Sequence, residues 1–567
     1  MRYLAFITDY DGTIAEHSKV PDSTIEQLQR LSASGRKLIL CTGREIRFLK
    51  PDFPKLEIFD LIVAENGATL YHPKTGEEKL LCESPPASFV KALEARGVQP
   101  MSVGKGIVAT WEPHEQTVFD EIHRQKLDLH VIFNKGAVMI LPEGVSKCTG
   151  LVAALEELNI SRHNTVGIGD AENDHAFLKM CEFSAATANA LPGLKESVDF
   201  VTKKDHGYGT EELIQALLKD DLKSIGASDR HLISIGKFED GESVYISPYG
   251  HSVLVCGTSG GGKTTFTSGI FERLRERKYQ CCIIDPEGDY ENVDGLISFG
   301  DIKHVAPVEQ VVRAMQATEQ SGSVNLLGLK LEDRPDYLLQ LLPRLQALRT
   351  KSGRPHWLII DEAHHMLSDA EGMSPQVMPK SLDSTIFVTV HPSRLSKTVL
   401  DMVKTVFAVG EGAPETMKEV LKLYGDKSKL HFDKMTSSEA LLYQQKQPVR
   451  KLKVELPKSS HLRHRRKYSE GNLGEERSFF FRGPNGRLKL RAHNLQIFLQ
   501  IADGIDNETW DHHLKRHDYS KWFREQIKDE ALARDVEMIE NDSALNSDSS
   551  KQEIRDRVER VYAPSAK

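Results

Sequence analysis

Cysteine is sparse in this 567-residue chain: seven residues, at positions 41, 82, 148, 181, 256, 281 and 282, with no Cys-x-x-Cys pair among them. That spacing excludes a zinc ribbon and a disulfide framework. Most of these thiols fall in apolar runs such as Leu38–Cys41 and Val253–Cys256, where they read as core, and an odd, unpatterned set suits a reducing compartment. Long hydrophobic runs are missing too. No stretch approaches the roughly 18 residues a membrane helix needs, so no membrane partner is expected. Charge of one sign is not in excess. The 74 Lys and Arg against 82 Asp and Glu leave −8, which supplies no global field for nucleic acid but does not exclude a local basic surface. The chain enters a strand-like run within three residues without a signal-peptide pattern, so the expected location is the cytoplasm.

What is present is two successive alternations of short apolar runs with helical patterns, in a chain too long for one core. The first spans 1–220, with buried parallel strands expected at Tyr3–Thr8, Lys37–Cys41, Leu61–Ala64 and Thr165–Ile168. The second spans 230–456, with strands expected at Val253–Cys256, Cys281–Ile284, Trp357–Ile360 and Thr385–Val390. Residues 457–477, containing the run His461–Lys467, read as a basic, polar linker. Residues 478–540 read as a small helical module built on Trp510, Trp522, Ile527 and Leu532. Residues 541–567 read as a Ser/Asp-rich disordered segment followed by a short helix.

The first strand ends in Asp9-Tyr10-Asp11-Gly12-Thr13. Two carboxylates two residues apart at the carboxyl end of a parallel strand reach one crevice, where one can attack phosphorus and the other serve as general acid and base. Their mutual repulsion calls for a divalent cation. Thr42-Gly43-Arg44 ends a second strand with a hydroxyl and backbone N–H groups suited to phosphate. Lys147 supplies a cation, and Gly167–Asp174 adds acids that complete an all-oxygen Mg²⁺ site.

In order, residue type and strand context these four segments resemble the HAD superfamily. The resemblance implies Asp9 as the nucleophile that forms an aspartyl-phosphate, and Asp11 as the group that protonates the leaving group and then activates water. It implies Thr42 and Lys147 on the phosphoryl oxygens, and Mg²⁺ bound by Asp9, the Asp11 carbonyl and Asp170, with Asp174 supporting. Glu65-Asn66-Gly67-Ala68 and Gly169-Asp170-x-x-Asn173-Asp174 resemble the Cof-type, sucrose-phosphatase-like branch. That branch implies a small α/β cap over about 82–145 and a small phosphorylated metabolite, of sugar-phosphate type, as substrate.

The strand ending at Cys256 runs into Gly257-Thr-Ser-Gly260-Gly-Gly262-Lys263-Thr264-Thr265 and then a helical pattern. This is a phosphate-cradling P-loop in the strand–loop–helix context it requires, with Lys263 for the β- and γ-phosphates and Thr264 for Mg²⁺. Asp361 and Glu362 follow a buried strand, the first suited to the Mg²⁺ shell and the second to polarising water. His364 and His365 read as packing residues whose rings diverge on a helix. With Asp285–Tyr290 and Val388–Pro392, the set resembles the HerA/FtsK-like ATPases. That likeness implies ATP as ligand or substrate, a ring-forming homo-oligomer, and His391 at a γ-phosphate sensor position where relatives carry glutamine. Arg354 and Arg394 are the candidates for an arginine reaching a neighbour's nucleotide. The expected architecture is therefore a multidomain α/β protein: a HAD Rossmann-like sheet with a cap, a P-loop NTPase domain, and a small α-helical domain. The expected activity is Mg²⁺-dependent phosphomonoester hydrolysis joined to ATP hydrolysis. The alternative is an ATP-driven nucleic-acid translocase, or an ATP-regulated switch, with an accessory HAD domain.

Overall fold

A computed structural model describes residues 1–562 apart from 135, 227, 291–292, 294, 318, 369–381, 429, 431, 433–434, 446, 459–467, 469–472 and 528. The basic run His461–Lys467, and with it most of the expected linker, lies outside the described residues.

The first body is built on strands β1 (Ala5–Thr8), β2 (Lys37–Cys41), β3 (Leu61–Ala64), β4 (Thr69–Tyr71) and β5 (Glu78–Leu80). A second, small sheet follows from β6 (Ser102–Val103), β7 (Val108–Trp111), β8 (Leu129–Asn134) and β9 (Ala137–Pro142). The chain then returns to the first sheet through β10 (Thr165–Gly169), β11 (Phe183–Ala186) and β12 (Phe200–Val201). The main sheet has the order β12-β11-β10-β1-β2-β3-β4-β5, parallel through β3 and antiparallel at the β4 and β5 edge. Every residue of β1 is buried because helices cover both faces, which is why these strands are continuously apolar rather than alternating. The small sheet, β6-β7-β9-β8, is antiparallel. It buries Val108, Val138 and Ile140 against Phe89 and Leu93 of helix Ala87–Ala95.

The second body carries β13 (Ile233–Phe238), β14 (Ser243–Ile246), β15 (Ser252–Cys256), β16 (Cys281–Asp285), β17 (Leu296–Phe299) and β18 (Ser321–Asn325). It continues with β19 (Trp357–Ile360), β20 (Thr385–Thr389), β21 (Thr405–Val409), β22 (Glu439–Gln444) and β23 (Arg450–Val454). Its sheet order is β14-β13-β23-β22-β21-β15-β20-β19-β16-β18-β17. The run from β21 to β17 is parallel, and β22, β23, β13 and β14 extend it as antiparallel strands. The glycine-rich loop leaves β15 inside this parallel run, where neighbouring strands bring further loops to the same edge.

The C-terminal unit is mainly helical but opens with a hairpin of β24 (Phe479–Phe481) and β25 (Leu490–Ala492). Its core joins Phe479, Phe481, Phe498, Trp510, Tyr519 and Trp522 to Ile554, Val558 and Tyr562. The expectation of disorder over 541–550 is corrected here. A helix begins at Ser547 and runs to Tyr562, and the buried Ser550 Oγ accepts a bond from Trp510 Nε1 at 2.9 Å. The segment's polar composition concealed an apolar stripe at i, i+4 and i+8, Ile554, Val558 and Tyr562, that packs on the module.

The two large bodies meet at the amino ends of their strands. Glu182, just before β11, accepts from Tyr279 Oη, just before β16, at 3.0 and 3.1 Å. It also pairs with His163 at 2.8 Å and Arg2 at 3.1 Å. The His163 ring stacks on Tyr279 at 3.9 Å between centroids. His356, before β19, accepts from Gln280 N through Nδ1 at 2.7 Å, so Nε2 carries the proton and donates to Ser161 Oγ at 2.8 Å. Arg354, one of the two candidates for reaching a neighbouring nucleotide, is buried in this joint, on Glu319 at 2.7 Å and Asn159 at 3.4 Å. It is thereby withdrawn from that role.

The joint carries a pH dependence. Burial, with the neighbouring His163 and arginine charges, holds His356 well below the usual histidine value of 6.5. Burial also lowers His231. Burial opposes ionisation of Glu182, but His163, His231 and Arg2 outweigh it and hold that carboxyl low. The unfolded chain therefore takes up protons that the folded joint refuses, first at histidine and then at glutamate, so stability falls as pH drops below 6.5 and again below 4.5. Thermal unfolding followed from pH 7.5 to 5 should show a steeper acid-side loss for wild type than for His356→Gln. Parallel curves would remove His356 from this account.

Candidate active sites

The first site forms where β1, β2 and β10 end. Asp9 follows β1 directly, with its N–H held by the Ile168 carbonyl at 3.1 Å. Asp170 follows β10, and a tight turn brings Asp174 back so that its Oδ2 accepts from the N–H groups of Asp170 and Ala171 at 2.9 and 3.1 Å. Lys147 is the first residue of helix Lys147–Leu158, which is capped by Ser146 in a reciprocal box with Thr149. Its Nζ lies 2.5 Å from Asp9 Oδ1 and 2.6 Å from Asp174 Oδ1. Thr13 Oγ1 lies 3.3 Å from Asp9 Oδ2 and 3.2 Å from Asp170 Oδ1. Lys147 can reach this position because Gly67 lets the backbone pass. At φ +103° a Cβ on residue 67 would sit 1.9 Å from the Ser146 carbonyl oxygen.

All four charged groups are buried. Burial raises the Asp9 pKa well above the carboxylate range, and the Asp174 charge adds to it, against the pull of Lys147. Burial opposes the Lys147 charge, but Asp174 and Asp9 outweigh it and hold the ammonium protonated. Carboxylate oxygens of Asp9, Asp170 and Asp174 lie within 4.8 Å of one another, a hard all-oxygen donor set of the kind Mg²⁺ takes.

Thr42 is fully buried at the end of β2, its hydroxyl accepting from Arg44 N at 3.1 Å. Asp11 is half exposed and turned from Asp9 toward Arg44, which grips it with two bonds of 2.6 Å while also holding Asp52 and Ser18. The Arg44–Asp11 pairing was missed in the sequence; the Thr-Gly-Arg triplet was its only local signal. Also missed was the role of Glu65, whose carboxylate accepts the N–H groups of Lys105 and Gly106 at 3.1 and 2.8 Å. Glu65 and Asn66 both have left-handed backbones, at φ 50° and 52°. This turn therefore fastens the small sheet over the crevice, and Asn66 Oδ1 accepts from Asn173 at 3.0 Å.

The second site lies at the carboxyl ends of β15, β16, β19 and β20. Gly260 and Gly262 take positive φ, 74° and 92°, and helix Lys263–Glu276 begins at Lys263, whose Nζ bonds the Thr258 carbonyl at 3.0 Å. Thr264 and Thr265 follow in the first helical turn. Gly257 sits against β21, where a Cβ would fall 2.6 Å from the Val409 carbonyl oxygen. Asp361 is buried, and burial, then the charges of Glu362, Asp289 and Asp285, raises its pKa well above the usual range. Glu362 holds a left-handed backbone at φ 43°, a strained conformation for a non-glycine residue. His391 is exposed after β20, its N–H bonded to Thr389 Oγ1 at 3.0 Å and its ring 5.2 Å from that of His364. His364 and His365 do not diverge as expected. They lie in a 3₁₀ turn with rings 4.0 Å apart.

This geometry defines two phosphate-type centres on two α/β bodies, one built on buried aspartates under a cap and one on a P-loop. The family described as haloacid dehalogenase-like hydrolase matches residues 6–108 and 107–214, and the one described as Helicase HerA, central domain, matches 233–485. The chain carries a HAD-like hydrolase domain followed by a HerA-like domain, the latter of a P-loop ATPase family. Phosphoglycolate phosphatase 2 of Saccharolobus solfataricus is 27% identical over 226 residues, 37% of this chain and 91% of that protein. Phosphoglycolate phosphatase of Methanothermobacter thermautotrophicus is 26% identical over 222 residues, 38% and 98% of the two chains. A solved haloacid dehalogenase-like hydrolase from Bacteroides thetaiotaomicron is 18% identical, covering 38% of this chain and 99% of that one with a TM-score of 0.34. Among the described residues no helix is long and apolar enough to cross a membrane.

Removing the buried cation tests this site's electrostatics. Lys147→Met leaves Asp9 and Asp174 facing each other in a dry pocket, and urea unfolding should show a loss of about 3 to 5 kcal/mol. A loss below about 1 kcal/mol would mean that water or another cation already shields the pair.

Proposed function

We propose that the N-terminal body hydrolyses a small phosphorylated metabolite through an aspartyl-phosphate on Asp9, and that the second body binds and hydrolyses ATP. The observation that carries the first half is the buried Lys147 bridge between Asp9 and Asp174. It sets a buried cation at hydrogen-bond distance from the carboxylate at the end of β1, opposing the burial and the Asp174 charge that push Asp9 toward its protonated form. Asp9 Oδ attacks phosphorus as the ester P–O bond breaks, and the leaving oxygen takes a proton from Asp11. Asp11 then removes a proton from water, whose oxygen displaces Asp9 and releases inorganic phosphate. For this Asp11 must turn from Arg44 into the crevice. Thr42 and Lys147 hold the phosphoryl oxygens. Asp9, the Asp11 carbonyl and Asp170, supported by Asp174, would hold Mg²⁺, which when bound offsets negative charge on the transferred group. The small sheet of β6 to β9 covers the crevice and excludes water.

The names of the relatives place phosphoglycolate among the first substrates to try, beside sugar phosphates. In the second body the P-loop from Gly257 to Thr265 cradles the phosphates, Lys263 contacts the β- and γ-groups, and Thr264 and Asp361 would hold the Mg²⁺ that offsets phosphate charge when bound. Glu362 accepts the proton of the attacking water, and His391 donates to the γ-phosphate. A translocase would draw on the same ATP chemistry. The formal net charge of −8 supplies no global field to favour it, so the metabolite reading leads.

Phosphate release with Mg²⁺ should be measured on phosphoglycolate, sugar phosphates and nucleotides, with wild type, Asp9→Asn and Lys263→Ala. Release from one small monoester should vanish in Asp9→Asn and persist in Lys263→Ala, whereas release from ATP should show the reverse. Release confined to ATP and dependent on Lys263 would overturn the metabolite reading.

A further inference from the structure

The C-terminal unit has no part in either site as so far described, yet it brings one charged side chain to the nucleotide centre. Arg477 ends the short helix Gly474–Arg477 immediately before β24. Its backbone is fixed by the unit's own core, because Trp522 Nε1 donates to the Arg477 carbonyl at 3.0 Å. The guanidinium is half exposed, with Nη2 3.9 Å from Glu287 Oε1. Glu287 belongs to the loop after β16, next to the Asp361 strand in the sheet. In that loop Asp285 accepts the N–H groups of Asp289 and Tyr290 at 2.9 and 2.8 Å, which turns the loop across the carboxyl edge. Glu362 feels Lys263, Glu287, Asp289 and Arg477 together, so all four charges share its surroundings.

The charge balance of this crevice is one-sided. Asp285, Glu287, Asp289, Asp361 and Glu362 crowd an edge where a triphosphate would add further negative charge; Lys263 is the P-loop's own cation, and Arg334 and Arg394 lie toward His364 and His365. A further non-titrating cation on a firmly held backbone suits a transition state whose charge spreads over the phosphoryl oxygens. At 3.9 Å the Glu287 contact is too long to be a hydrogen bond, so the guanidinium is not spent on it. The side chain can exchange that carboxylate for a phosphate oxygen without disturbing the Trp522 anchor.

We propose that Arg477 is a catalytic arginine of the ATPase centre, delivered in cis by the C-terminal unit to the phosphates of a nucleoside triphosphate bound at the P-loop. The water oxygen attacks the γ-phosphorus, the bond to the bridging oxygen breaks and leaves with the diphosphate, and Glu362 takes the water's proton. Arg477 neutralises the charge gathering on the transferred group and the bridge. The unit's function is then to complete the ATP site. This rests on the second body's being an ATPase.

The test is steady-state ATP hydrolysis by the full chain, as wild type, Arg477→Ala, Arg477→Lys and Lys263→Ala. The exposed Arg482→Ala, five residues along the same unit, serves as a control that should leave turnover unchanged. Arg477→Ala should lower kcat at least about a hundredfold with KM within about threefold, and Arg477→Lys should recover part of the loss, which a merely structural role would not do. Unchanged phosphomonoester hydrolysis in the same variant shows that the chain still folds. Mixing Arg477→Ala with Lys263→Ala should restore nothing, because each chain then lacks part of its own site. Recovery on mixing would overturn delivery in cis. Turnover in Arg477→Ala within threefold of wild type, with Lys263→Ala inactive, would overturn the proposal and leave the ATPase reading standing. Absence of ATP hydrolysis in wild type would remove that reading and the proposal together.

Discussion

Much of the first body is arranged around one buried ammonium. Lys147 lies at the first residue of a helix, where the macrodipole is positive and a cation is disfavoured. It is also almost wholly out of water. Neither helix propensity nor burial accounts for it, so the stabilisation comes from Asp9 and Asp174. Those two acids need the lysine as much as it needs them, because each buried alone would hold its proton. The surrounding geometry follows from bringing three groups to one point. Gly67 admits the Ser146 carbonyl, the Ser146 cap fixes the helix start, and the Asp170–Asp174 turn folds back so that Asp174 receives two backbone N–H groups.

The second body repeats the device. Lys263 also opens a helix and is also buried, and the acids at the ends of β16 and β19 supply the opposing charge. The difference lies in proportion. In the first site one lysine bridges two of the three buried carboxylates at hydrogen-bond distance. Around the P-loop five carboxylates crowd the edge that Lys263 shares with Arg334, Arg394 and Arg477, and Asp361 and Glu362 are both pushed toward protonation. Such a centre is built to be finished by cations from outside its own loops, whether from Mg²⁺ with the nucleotide or from an arginine on another unit.

How far this was legible in the sequence depended on whether the residues concerned were neighbours in the chain. The strands at Lys37–Cys41, Leu61–Ala64 and Trp357–Ile360 form with the bounds expected of them, because continuous apolar runs bounded by turn residues leave little choice once both faces are covered. The P-loop was readable for the same reason, since its glycines, lysine and threonines are consecutive. Arg44 was not. Its grip on Asp11 joins residues 33 apart, and no local pattern tells a phosphate-facing arginine from one turned onto a carboxylate. Glu65 was missed because its partners are backbone N–H groups of Lys105 and Gly106, and backbone donors have no sequence signature. A short helix was expected near the end of the chain, but its start at Ser547 and its packing were hidden by composition, its three apolar anchors diluted among charged residues.

The placement of the two centres bears on whether they share a substrate. In each sheet the reactive groups lie where strands end: Asp9, Thr42 and Asp170 in one, Gly257, Asp361 and His391 in the other. The joint, by contrast, is made of residues that precede strands: Arg2, Asn164 and Glu182 against Tyr249, Tyr279 and His356. Parallel strands run the same way through each body, so a contact between amino ends puts the two crevices on faces turned away from the joint. A product released from one site therefore leaves on a face turned away from the other. What the joint can transmit is mechanical. Gln280 and His356 stand directly ahead of β16 and β19, the strands that carry Asp285 and lead into Asp361 at their far ends. These strands, with the Glu182 cluster and the His356–Ser161 bond ahead of them, are a packed connection between the two bodies along which nucleotide could influence the phosphatase.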